Sequence, residues 1–295
     1  MRLPRGAVWI ASYPRSGNTW MRALLSNMVS GKITASDIND LEVRSAAASL
    51  AQLEFHLLVE PQLLRLAEME AFRAATLDVE AQALESARFS KVHDAWTYLA
   101  DGAPRLGRGA RRALYVLRDP RDVAVSYAFY SGSDTTAAIE WMNDPEFTIR
   151  SPGLTIPQRL NDWSGHVRSW IEQRDVPVHV IRYEDLHANP VAVLRDTLAF
   201  LGATFDDEEE AHEAIARAVE YSDFVRLQQQ EKERGFCEQR DGTQPTSEKF
   251  FRRGRVGDWR NHLSRSHVQC IEDAHGETMK RFGYVLERGR ADRCD

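Results

Sequence analysis

The chain has 295 residues, 43% of them hydrophobic and 28% charged, with a formal net charge of −6. That size and balance suit a single globular α/β domain. The negative charge argues against non-specific binding to nucleic acid or to an acidic membrane, so any anion site must be a local basic cluster. Two such clusters stand out, at Arg111–Arg112 and at Arg252, Arg253 and Arg255.

The N-terminus MRLPRGAVWIASYP carries only a short apolar run before turn residues, so neither a signal peptide nor a membrane span is expected there. The first strand reads Ala7-Val8-Trp9-Ile10-Ala11, Ser12 through Thr19 forms a turn, and Trp20 through Met28 has helical apolar spacing. Residues 37–88 read as helical, from Leu50, Leu53, Leu57 and Leu58 to Leu63, Leu64 and Leu66. A short strand follows at Arg88–Lys91, then a loop at His93.

The apolar run Ala113–Leu117 reads as a buried strand, with Asp119 as N-cap and Pro120 as the first residue of a helix through Tyr130. The same unit recurs at Val178–Arg182, with Asn189-Pro190 opening a helix to Leu201. Alternation of this kind predicts an α/β fold with a mostly parallel central sheet flanked by helices. Residues 131–158 and 235–250 are rich in turn formers and read as long loops, of the sort that act as lids or binding loops. Charged residues after Gly283 predict a frayed tail. Three cysteines, Cys237, Cys270 and Cys294, are odd in number and lack metal-ligand spacing, which suits reduced thiols in a cytoplasmic protein. No metal is expected, because no HExxH, CxxC or acidic triad occurs.

Ser12-Tyr13-Pro14-Arg15-Ser16-Gly17-Asn18-Thr19-Trp20 lies between the first strand and the first helix. There, backbone N–H groups and the positive end of a helix dipole favour an anion, and Gly17 permits close approach. By itself the segment also fits an ordinary strand-to-helix turn. It is not the nucleoside-triphosphate loop GxxxxGK[ST], since the lysine after the glycine is missing.

Three further segments complete a set: YVLRDPRDVAVSY from Tyr115, RYEDL from Arg182, and RRGRVGDWRN from Arg252. In this order and separation they resemble the cytosolic sulfotransferases, enzymes that use 3′-phosphoadenosine 5′-phosphosulfate (PAPS) and release adenosine 3′,5′-bisphosphate (PAP). The resemblance runs from about Val8 to Gly283 as one sulfotransferase domain. It implies that Arg15, Ser16, Gly17, Asn18, Thr19 and Trp20 hold the phosphosulfate end, with Trp20 on the adenine. Arg118, Ser126, Arg252, Arg253 and Gly254 would clamp the 3′-phosphate, and Tyr183, Ser222 and Phe224 would contact the base. It further implies His93 as catalytic base with Lys91 near the sulfonate. Arg15 stands where many members carry lysine, so an electrostatic role is expected of it, since arginine holds its proton.

The expected partner is a small hydroxylated acceptor, a phenol, alcohol or natural product, with a pocket drawn from 37–88, 131–158 and the segment near Phe236–Phe250. Phe55, Trp96, Tyr98, Phe129, Tyr130, Trp141 and Phe147 would line it. Residues 265–272 bear only slight resemblance to the family's dimerisation segment, which leaves a homodimer open. A PAPS- or PAP-binding module without catalysis, and a phosphate-loop kinase, are the competing classes.

Overall fold

The computed structural model describes residues 1–31, 33–42, 47–58, 60–151, 153–239 and 249–287. Its elements follow as β1 (Gly6–Ser12), α1 (Asn18–Val29), α2 (Leu50–Leu57), α3 (Leu66–Gln82), β2 (Ala87–Val92), β3 (Ala110–Leu117), α4 (Pro120–Ser131) and α5 (Thr135–Asn143). After these come β4 (Thr148–Ile149), β5 (Gln158–Arg159), α6 (Trp163–Glu172), β6 (Val178–Arg182), α7 (Tyr183–Ala188), α8 (Pro190–Leu201), α9 (Glu208–Tyr221), α10 (Phe224–Arg234) and α11 (Arg265–Arg281).

The central sheet has the order β2-β1-β3-β6 and is parallel throughout. Side chains alternate across it, and both faces are covered. Trp9, Ala11, Ala113, Tyr115 and Leu117 pack with α4, α6 and α11, whereas Val8, Ile10, Leu114, Val116 and Ile181 pack with α1, α8 and α9. Burial on both sides explains why β1 and β3 read as continuous apolar runs. All four strands point the same way, so Tyr13, His93, Arg118 and Tyr183, each the residue following a strand, gather at one edge. That carboxyl edge is where open α/β sheets place their ligands.

Asp119 caps α4 by accepting from Arg121 N at 2.9 Å, and Asn189 caps α8 by accepting from Ala192 N at 3.1 Å, each followed by proline at the first helical position. Both helices end at a glycine in the left-handed region, Gly132 and Gly202. Other expectations need correction. Residues 131–158 are not one loop, since they contain α5, capped by Asp134, and β4, whose partner β5 follows directly. In 37–88, the described residues before Leu50 are non-helical, and helix resumes as α2 and α3. Most of the 235–250 loop, residues 240–248, lies outside the described residues, as does Cys294 of the tail. Cys237 and Cys270 are exposed free thiols.

Candidate functional site

The turn from β1 into α1 is built as an anion cradle. Arg15 and Gly17 both take positive φ, 68° and 106°, which turns the backbone inward. Gly17 is the N-cap of α1, where no side chain caps the helix and no acidic residue sits in the first turn. The N–H groups at that end are therefore not capped by a side chain of the described residues. Ser16 Oγ is buried and without a partner. Asn18 instead serves the scaffold, its Nδ2 donating to Ile10 O at 2.9 Å and to Ser12 Oγ at 3.2 Å, while Thr19 is buried beside it.

Arg118 lies across the cradle, donating to Arg15 O at 3.1 Å and to Arg255 O at 3.0 Å, with its guanidinium 4.3 Å from the centre of the Tyr183 ring. Its Nε is buried and unpartnered. Together with Ser16 Oγ this leaves two buried donors without an acceptor among the described residues, a set that fits an anion such as phosphate. Arg252 and Arg253 are held by Asp258, at 2.7 and 3.4 Å, and Arg252 stacks 4.2 Å over Phe129 of α4. The two expected halves of the phosphate clamp thus meet, one from β3–α4 and one from the segment before α11. Trp20 donates through Nε1 to Ser222 O at 2.9 Å and meets Tyr183 edge-on at 5.6 Å. Phe224 packs in the same cluster, its ring so close to Gly254 that a Cβ there would fall 2.5 Å away.

At the other end, His93 leaves β2 beside the cradle. Its Nδ1 lies 2.8 Å from Ser12 O and 3.3 Å from Ser12 Oγ. A carbonyl accepts only, so Nδ1 carries the proton and Nε2 keeps its lone pair. Burial, reinforced by Lys91, holds the imidazole down to about 3, so it is neutral at pH 7. Lys91 pairs with Glu238 at 3.0 Å, and Glu238 also binds Arg22 of α1 at 2.5 Å. Burial acts to raise Glu238, but the two cations outweigh it and hold it down to about 2.

Two placements differ from the sequence reading. Arg15 is anchored on the α4 side, with Nε donating to Ser126 Oγ at 3.1 Å and Nη2 to Phe250 O at 3.0 Å. The rings of Tyr130 and Phe250 flank its guanidinium at 4.6 and 4.2 Å. Burial lowers it to about 10, which leaves it charged at pH 7. Of the aromatics assigned to an acceptor pocket, Trp96 is buried core, Trp141 and Phe147 stack at 6.0 Å against that core, and Phe55 is exposed. Glu238 escaped the sequence reading, since its contact to Lys91 spans 147 positions and no local pattern marks it. Among the described residues, no group of three or more His, Cys, Asp or Glu could hold a metal, and no helix is long and apolar enough to cross a membrane.

A parallel sheet with an uncapped strand-to-helix turn, converging arginines and a neutral histidine at one edge suits an α/β enzyme that transfers a group from an anionic donor. Residues 5–283 match the sulfotransferase domain, and the chain belongs to that family: it is a sulfotransferase. It is 26% identical to cytosolic sulfotransferase 16 of Arabidopsis thaliana over 94% of this chain and 77% of that protein. It is 24% identical to mouse sulfotransferase 1B1 over 96% and 85%. Among solved structures, mouse sulfotransferase SULT7A1 complexed with PAP aligns with a TM-score of 0.56 at 19% identity, covering 99% of this chain and 89% of that one. Retinol dehydratase in complex with androsterone and PAP aligns at 0.59 and 20%, covering 97% and 84%. These two likenesses are of fold.

Proposed function

We propose that the chain transfers the sulfonate group of PAPS to a hydroxyl of a small acceptor, with His93 as general base and PAP as product. The observation that carries this reading is the tautomer of His93. Its Nδ1–H is taken by Ser12 O, and no described residue hydrogen-bonds Nε2. Nε2 takes the acceptor's proton as the acceptor oxygen bonds to sulfur, and the sulfur–oxygen bond to the donor phosphate breaks. The electron pair of that bond leaves on the phosphate, where the backbone N–H groups ahead of α1 and the cationic groups stabilise it.

Ser16, Arg118, Arg252, Arg253 and Gly254 suit the donor's phosphates, and Trp20, Tyr183, Ser222 and Phe224 suit its base. Arg15, bound to Ser126, acts from the 3′-phosphate side. Lys91 is the cation on the His93 side, within the pair it makes with Glu238. A hydroxylated apolar acceptor agrees with the retinol and androsterone of the retinol dehydratase complexes. Cytosolic relatives support a cytoplasmic site of action.

Sulfur-labelled PAPS, supplied without magnesium with a panel of phenols and alcohols, tests the reading against His93→Ala. Transfer by the wild type that collapses at least a hundredfold in the variant is expected. PAP binding with equal turnover in both proteins would dismiss His93 as base, and binding with no turnover in either would favour a binding module.

A further inference from the structure

Helix α6 lies behind the loop that leaves β2, and three of its side chains hold the backbone of that loop. His166 Nε2 is 2.9 Å from His93 O, Ser169 Oγ accepts from Trp96 N at 2.9 Å, and Trp170 Nε1 donates to Asp94 O at 3.0 Å. Positions 166, 169 and 170 share one face of the helix. His166 is fully buried, and the Tyr115 hydroxyl, from near the carboxyl end of β3, lies 2.8 Å from its Nδ1. Since His93 O can only accept, the His166 proton is on Nε2 and Nδ1 accepts from Tyr115. A directed chain results, Tyr115 O–H to His166 Nδ1 and His166 Nε2–H to His93 O.

We propose that His166, anchored by Tyr115, is a positioning residue for sulfonate transfer, fixing the peptide from which the His93 imidazole projects. The proposal rests on the reading of His93 as base. The bond from Nδ1 to Ser12 O sets the tautomer and one point of the ring, but not the backbone that carries it. β2 ends at Val92, so His93 lies beyond the strand ladder and its carbonyl has His166 as its partner. Without that donor the carbonyl must turn toward another, and Cα turns with it. Displacements of about 1 Å at a reacting group can cost on the order of a hundredfold in rate. Burial also holds His166 down to about 4, so at neutral pH it keeps one donor and one acceptor, as the chain requires.

The test is a double-mutant cycle on kcat, using sulfur-labelled PAPS and para-nitrophenol or a straight-chain alcohol as acceptor, with PAP affinity measured alongside. His166→Phe should lower kcat about tenfold or more while PAP binding stays within about twofold. His166→Gln, which keeps an N–H donor, should recover part of the loss. Tyr115→Phe, a milder change, should show a smaller loss of the same kind. In a His93→Ala background, His166→Phe should cause no further loss, because nothing is left to position. Equal loss in both backgrounds, PAP binding that falls in step with kcat, or wild-type kcat in His166→Phe would overturn the proposal. Wild-type turnover in His93→Ala would remove its premise, a result separable from the others because it needs no change at position 166.

Discussion

Gly17 is the residue on which the cradle turns. It has φ 106°, and a Cβ added to it would lie 2.6 Å from Tyr183 Cδ2 and 3.1 Å from Cε2. Alanine there meets two penalties, about 1–2 kcal/mol for the left-handed backbone and a clash that displaces the Tyr183 ring. That ring carries the Arg118 guanidinium and the edge of Trp20, so its movement disturbs the groups proposed for the phosphate and for the base together. Gly17→Ala is expected to weaken PAP binding about tenfold or more by isothermal titration calorimetry. Gly31→Ala is the control. Gly31 also has positive φ, 60°, but nothing lies within 4 Å of its Cβ position, so backbone strain alone should leave PAP binding unchanged. Equal effects of the two substitutions would show that strain, not the Tyr183 contact, governs the site.

Among the elements, the short turn at Cys237–Gln239 stands out because it brings a carboxylate to the edge proposed as catalytic. Glu238 neutralises Lys91, the cation expected at the sulfonate, and any phosphosulfate that uses Lys91 competes with it. Glu238→Gln keeps the shape and removes the charge, so the KM for PAPS should fall about three- to tenfold in steady-state assays. A KM that rises instead would mean that Glu238 serves to seat the turn. The contrast with what the sequence reveals is physical. Strand–loop–helix signals are local: Asp119-Pro120 and Asn189-Pro190 cap helices by contacts within three residues, and β1 and β3 are apolar because both sheet faces are covered. The segments proposed for the cradle, the clamp and His93 could be singled out because each is a short contiguous motif that the family resemblance marks. Helix α5 had its own local signals, the Asp134 cap and the buried trio Ala138, Ile139 and Met142, but the surrounding Ser, Gly, Pro and Asp residues masked them. Glu238 with Lys91, and His166 with His93, depend on tertiary packing, which no local pattern encodes.

At the scale of the whole molecule, the carboxyl edge is tied from behind by buried polar links. Arg121 at the start of α4 binds both Asp119 and Glu272 of α11, with all three side chains nearly inaccessible, so the helix that carries Ser126 is tied to the C-terminal helix. Breaking such a pair by removing one partner strands a buried charge. The histidines of the same interior make the fold sensitive to acid. Burial holds His166 and His275 down to about 4 and His93 to about 3, against an ordinary value near 6.5 in the unfolded chain. Between those values the unfolded chain binds protons that the folded one refuses. The stability these groups contribute is therefore complete above pH 6.5 and is lost as pH falls toward 4. Asp94, Asp122 and Glu184, which burial raises, act in the opposite sense, so the wild-type slope alone does not isolate the histidines. His275 does, since it sits in the core against Trp163 with Ser164 Oγ 3.0 Å from Nδ1, away from the reacting groups. Urea unfolding at pH 7.5 and 5.5 should show His275→Gln losing about 1 kcal/mol less than the wild type over that interval, whatever its absolute stability. Equal losses would assign the acid sensitivity to other groups and show that His275 already accepts its proton in the folded state.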